Sequence, residues 1–291
     1  MVSLCAFHTL CGKNRENVGK RKGFMQKILY WLSERLRDAW LWPVNLARDF
    51  LARSGRLVHT IAQGGQGVRW MSLFFWRALQ NRTFKSDWPP AARQCGIWLH
   101  LFAVQLFDLL GGPEICQFVM HLGMHTTPLT GAELAQAQAL FGTKNLRYQD
   151  VRIAEGGILN LIFRYNGGLA FATWYTVHLP YQQGEAGRTA VSSRQNLPLL
   201  IHEMTHIFQY QHVGSRYLGE AIYYLATTQR DCYQYGGQLG LRTSWQQGKQ
   251  FRQFNREQQA QIVQDYFALT QARQDVSAYQ PYVAQLRQAE L

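Results

Sequence analysis

The sequence predicts an α+β fold, and three observations carry that expectation. Apolar residues recur at three- and four-residue spacing before residue 111 and again after residue 196, the period of amphipathic helices. Between residues 150 and 180 the pattern changes to short runs rich in β-branched and aromatic residues, the signature of a small sheet. The apolar fraction is 47%, with 13% aromatic residues, which supplies a core and excludes a disordered chain. At 291 residues the chain forms one large domain or two modest ones.

Taken in order, residues 1–24 are polar and basic and read as a mobile tail. Residues 25–95 read as a basic, aromatic amphipathic helical region. In the helix expected over 26–50, Leu29, Leu32, Leu36, Ala39 and Trp40 share one side, with Lys27, Glu34, Arg37 and Asp38 on the other. Pro43 should break or kink it, because proline lacks the amide donor and collides with the preceding turn. Gly64-Gly65-Gln66-Gly67 reads as a flexible joint before a second helix over 68–79, and Trp88-Pro89-Pro90 as the end of the region. Residues 96–291 form the remaining domain. It opens on a helix over 96–110 whose Ile97, Leu101, Val104 and Leu109 suit a core face.

Thr130 and Glu133 then make a capping box for a short helix, and Gly142 ends it. Strands follow over 151–153, 158–165 and 170–179, with Asn166-Gly167 as a tight hairpin turn between the last two. A loop containing Gly184, Gly187, Ser192 and Ser193 leads into the next helix, which Asn196 caps, Pro198 starts and Gly214 ends.

The net charge of +12 is unevenly placed: residues 1–94 hold 16 Lys and Arg against 5 Asp and Glu, the rest 14 against 13. Seven of the nine tryptophans also fall at or before Trp98. Two readings compete for this N-terminal third. It is a peripheral membrane surface element, with aromatics at headgroup level and cations facing anionic lipid, or a helical subdomain with aromatics packed inward and arginines in water. Nucleic acid is the weakest partner, since no recognised binding motif is present. The five cysteines form no C-x-x-C pair, so reduced thiols are expected. Residues 1–23 do not form a secretory signal, and no stretch reaches the apolar length of a spanning helix. The expected location is therefore cytoplasmic, with or without attachment to the inner membrane face.

The chemistry concentrates in His202-Glu203-Met204-Thr205-His206. On a helix this spacing stacks two imidazoles one turn apart, where both can hold one Zn²⁺ while Glu203 acts on the attacking water. Leu197, Leu200, Ile201, Met204 and Phe208 give that helix an apolar face. A catalytic zinc needs a third protein ligand. Glu220, 14 residues after His206 on a second expected helix, is the first choice, and Glu257 or Asp265 on a third helix over 255–272 are the competitors. Tyr217, Tyr223, Tyr224, His212 and Tyr266 are candidate oxyanion donors, among which sequence does not choose.

Longer stretches carry a resemblance. Phe141-Gly142, Asp150-Val151-Arg152-Ile153, the run from Asn166 to Thr173 and the segment Leu200 to Gln209, with its His-Glu-x-Thr-His-x-x-Gln core, stand in family-like order. Over roughly residues 122–212 the chain resembles the zinc metallopeptidase domain associated with bacterial extracellular contractile injection systems and their toxin cargo, and with secretion-spike-related proteins. The stretch from Phe254 to Tyr266 resembles the tail of a subset of them. The resemblance implies a minimal zincin-like core, a bacterial origin, His202 and His206 as zinc ligands, Glu203 as the catalytic residue, a peptide substrate and a secretion or injection apparatus as partner. The third ligand is not fixed by it, so Glu220 rests on spacing alone. The competing functional expectation is a non-catalytic assembly protein held at a membrane surface, with a structural or vestigial metal.

Overall fold

The computed structural model describes residues 4–81, 84–155, 170–180 and 193–291. The fold is α+β: helices surround one small mixed sheet. In chain order the elements are α1 (Leu4–Asn81), α2 (Phe84–Leu109), α3 (Gly112–Leu122), β1 (His125–Thr127), α4 (Gly131–Phe141), β2 (Arg152–Glu155), β3 (Phe171–Thr173) and β4 (Thr176–Leu179). The motif helix α5 (Leu197–Val213), α6 (Arg216–Thr228), α7 (Gly237–Gln246), α8 (Arg256–Gln271) and α9 (Gln280–Arg287) follow.

The sheet order is β1-β2-β4-β3, with β2 and β4 parallel and both outer pairs antiparallel. The central strands are almost wholly buried. Their Ile153, Val177 and Leu179 pack with Leu200, Met204, Ile207 and Phe208 of the motif helix in the main core. Two caps act as the sequence predicts. Thr130 and Glu133 close a reciprocal box on α4, and Asn196 accepts the Leu199 amide at 3.2 Å to start α5. Gly214, at φ 72°, ends α5 in a conformation that favours glycine.

Several expectations are corrected. The run 170–179 is not one strand, because a two-residue turn at Trp174-Tyr175 folds it into the β3–β4 hairpin. Trp174 sits at φ 51°, rare for a bulky residue and costing about 1–3 kcal/mol. Its backbone amide donates to the Tyr217 hydroxyl at 3.0 Å and its indole to Ser215 at 3.1 Å, and these bonds hold the turn. The expected strand over 158–165 and the Asn166-Gly167 turn lie outside the described residues. So does the loop through Gly184, Gly187 and Ser192.

The N-terminal region also differs. α1 begins at Leu4, within the stretch expected to be a tail, and runs unbroken past Pro43 and Gly64–Gly67. Pro43 is exposed, so the carbonyl it leaves unpaired meets water, and contacts on both sides of it pin the helix to the rest of the molecule. Gly64 is no joint. A side chain there would collide with the Trp98 ring, whose indole N–H donates to the Thr60 carbonyl at 2.7 Å. The glycine lets α2 lie close against α1. Pro89-Pro90 falls inside the early turns of α2 and does not close the region. Nor is 96–110 a core helix: Ile97 and Leu99 are exposed, whereas Gln105 and Asp108 are buried.

Candidate metal centre

The site is made where α5 crosses α8. The motif helix turns one face to the sheet and the other to α8, so every residue from Leu200 to Tyr210 is buried. His202 and His206 stand one turn apart with ring centroids 5.1 Å apart and planes at 76°. Both reach toward Glu257, the second residue of α8. Its Oε2 lies 3.3 Å from His202 Nε2 and 3.4 Å from His206 Nε2. Asn255 and Gln258 form a reciprocal capping box that starts α8 and fixes where Glu257 projects. One donor atom from each of the three residues falls within 4.8 Å of the others.

Electrostatics agree with geometry. Burial alone would raise the Glu257 carboxyl, but the two imidazoles hold it well below the usual carboxylate range. Burial alone would likewise lower His206, yet Glu257's charge and hydrogen bond push it up to about 9. Glu203, next to His202 in sequence and wholly buried, is raised, chiefly by burial and against the pull of both imidazoles. Its Oε2 and His202 Nδ1 are buried without a hydrogen-bond partner among the described residues. Such groups are costly to leave unmade. The converging atoms are instead His202 Nε2, His206 Nε2 and Glu257 Oε2, two imidazole nitrogens and one carboxylate oxygen buried together, a donor set that a divalent cation would bind. Two neutral nitrogens and a carboxylate oxygen suit a borderline-soft divalent metal such as zinc. The residues fit the group.

Glu220 does not join this cluster. It is forked between two arginines, accepting from Arg216 at 2.5 Å and from Arg256 at 2.7 Å. It thereby ties α6 to the start of α8, one residue before Glu257. Asp265 is also elsewhere, accepting from the Tyr235 hydroxyl and from Gln261. The structure brings Glu257 to the imidazoles, the alternative that spacing alone could not rank.

One contributor had no role assigned from sequence. Gln209 accepts from His206 Nδ1 at 2.9 Å, while its amide donates to the Arg256 carbonyl and to Gln259. This fixes the His206 tautomer, leaves Nε2 free to ligate, and fastens the motif helix to α8. The signal was present, as the final glutamine of His-Glu-x-Thr-His-x-x-Gln. Of the oxyanion candidates, the Tyr217 hydroxyl is engaged by the β3–β4 turn, accepting from Trp174 and donating to the Ala172 carbonyl at 3.1 Å. His212 bonds the Phe208 carbonyl, and Tyr223 and Tyr224 are exposed on α6. Tyr233, which sequence did not single out, lies with its ring 5.9 Å from that of His202.

Fold and site together define an α+β chain with a buried two-histidine, one-carboxylate group able to hold a metal ion. Part of the chain is similar to the type VI secretion system spike protein VgrG2b of Pseudomonas aeruginosa, 28% identical over 184 residues. That match covers 61% of this chain and 16% of the spike protein, so the chain spans a small part of that relative's length. The similarity links the chain to bacterial secretion-spike proteins. No family model and no solved structure matches it.

Proposed function

We propose that this chain is a zinc-dependent metallopeptidase. The observation that carries the reading is the buried convergence of His202, His206 and Glu257, with the Glu203 carboxylate beside it. Zinc held there by the three residues would supply Lewis acidity toward the scissile carbonyl and lower the pKa of water. Glu203 takes the proton of the attacking water on its carboxylate and returns it to the departing amine. Burial favours that role, because a carboxylate with raised proton affinity is a better base near neutral pH. Gln209 keeps His206 in the ligating tautomer. Among the described residues three protein donors converge, which suits a site that leaves a position open for chemistry, as a closed structural zinc would not. The similarity to a secretion-spike protein supports delivery by, or association with, a secretion apparatus.

The test is metal analysis of wild-type and Glu203→Ala protein, paired with cleavage of casein. Stoichiometric zinc in both, and cleavage only by wild type, is expected. Equal cleavage by the two proteins removes the role of Glu203, and a wild type that takes up no zinc removes the metal centre.

A further inference from the structure

α1 is amphipathic with its faces reversed. In water a surface helix buries its apolar stripe and exposes its polar one. Here the polar side is the packed side. Arg35 donates to Thr126 at 2.9 Å, Asp38 meets His121 at 2.8 Å, Arg48 meets Asp150 at 2.9 Å and Arg53 pairs with Glu114. Arg35 and Arg53 are 5% and 2% exposed, almost completely sequestered.

The opposite side is the open one. Leu29, Leu36, Trp40, Leu51, Val58 and Ile61 recur at helical spacing along it, and Leu36, Trp40 and Leu51 are 71%, 72% and 83% exposed. No Asp, Glu, Lys, Arg or His falls on that arc from Leu29 to Gly65, a row about 55 Å long at the α-helical rise. Arg37 and Arg48 lie along one edge of it, paired with Glu34 and Asp150. The two helices packed against α1 repeat the pattern. α2 buries Gln105 and Asp108 and exposes Ile97, Leu99 and Leu106; α3 buries His121 and exposes Ile115, Val119 and Leu122. Among the described residues no single helix is long and apolar enough to cross a membrane, but α2 and α3 together, bent by 70°, reach that length and hydropathy.

We propose that this apolar row of α1 lies in the surface of an anionic lipid bilayer. A spanning helix is not required: an uncharged apolar row edged by arginines and carrying exposed tryptophan suits the headgroup–acyl boundary. The excess of cations over residues 1–94, 16 against 5 acidic, selects anionic headgroups as the complementary charge. Arginines turned inward and paired with the body leave nothing charged to be dragged into the acyl region.

The experiment is flotation of the full chain with vesicles of phosphatidylglycerol and phosphatidylethanolamine, compared with phosphatidylcholine alone. The triple variant Leu36→Glu, Trp40→Glu, Leu51→Glu touches none of the inward pairs, and its fold is checked by circular dichroism. Wild type should float with the anionic vesicles. The triple variant should bind at least about tenfold more weakly, and brominated lipid should quench wild-type tryptophan fluorescence. Wild type left in solution, equal flotation on phosphatidylcholine, unquenched tryptophan, or undiminished binding by the folded triple variant overturns the proposal. So does a discrete protein oligomer that covers the row and ignores vesicles. The quenching measurement needs no variant, so it stands even where the triple substitution prevents folding.

Discussion

Glu220 and Glu257 offer the same carboxylate, and what separates them is which cations each meets. Glu220 is 27% exposed and neutralised by Arg216 and Arg256, whereas Glu257 is buried and, among the described residues, paired with the two imidazoles. Glu257→Gln should weaken zinc binding by at least about 100-fold, the upper range for loss of an outer-shell partner. Glu220→Gln should change it by less than about tenfold, since a partly exposed pair contributes about 0–1 kcal/mol. Zinc titration against a competing chelator measures both; the reverse order would restore Glu220 as ligand. The pairing of His202 with His206 was legible in sequence because their relation is local, set by one helical turn. The third donor was not legible, because which later helix returns to α5 depends on tertiary packing that spacing does not encode. The decisive contact, Gln209 to the first residues of α8, joins segments far apart in the chain.

At the scale of elements, the two glycines of the expected joint have different work. A Cβ at Gly64 meets the Trp98 ring, whereas one at Gly65 meets nothing within 4 Å. Gly64→Val should therefore push α2 from α1 and destabilise by about 1–3 kcal/mol, the usual cost of overpacking. Gly65→Ala removes a flexible residue from an exposed helical position and should stabilise by about 0.5–1 kcal/mol. Urea denaturation of both variants gives the comparison; equal destabilisation would mean the two helices do not meet at Gly64. Elements with local punctuation were readable: the Thr130 box, the Asn196 cap and the Gly214 stop each stand where sequence put them. The continuity of α1 was not readable. Its proline and glycines are overridden by contacts with α2, α3 and the body, and propensity alone does not see those contacts. The β3–β4 turn was hidden for the same reason, since Trp174 holds a left-handed backbone only because Ser215 and Tyr217 bind it.

For the whole molecule, buried titrating groups on the sheet and at the α1 interface contribute to the response to acid, and these two pull in opposite directions. His178, on β4, is completely buried. It shares a 2.8 Å hydrogen bond with Thr173, its Nδ1 has no partner among the described residues, and burial holds its pKa down to about 3. The unfolded chain protonates this histidine near its ordinary 6.5, so between about 6.5 and 3 the unfolded state binds the extra proton and stability falls as pH falls. Asp38, against His121 and Arg35, is raised by burial to about 6 from its ordinary 3.8. Between those values the folded state binds the extra proton, so this group adds stability as pH falls and loses it as pH rises. Between pH 7 and 4 the histidine acts over about 2.5 pH units and Asp38 over about 2, so at about 1.4 kcal/mol per unit the two contributions nearly cancel. Acidification from pH 7 to 4 should therefore change the melting temperature through two separable contributions of opposite sign. His178→Gln should remove the loss, so that this variant gains stability relative to wild type as pH falls to 4, and Asp38→Asn should remove the gain, so that it loses stability relative to wild type over the same range. Melting curves of the three proteins across this range decide the matter: a His178→Gln protein with the wild-type pH slope would show that the histidine is already neutralised by some other means.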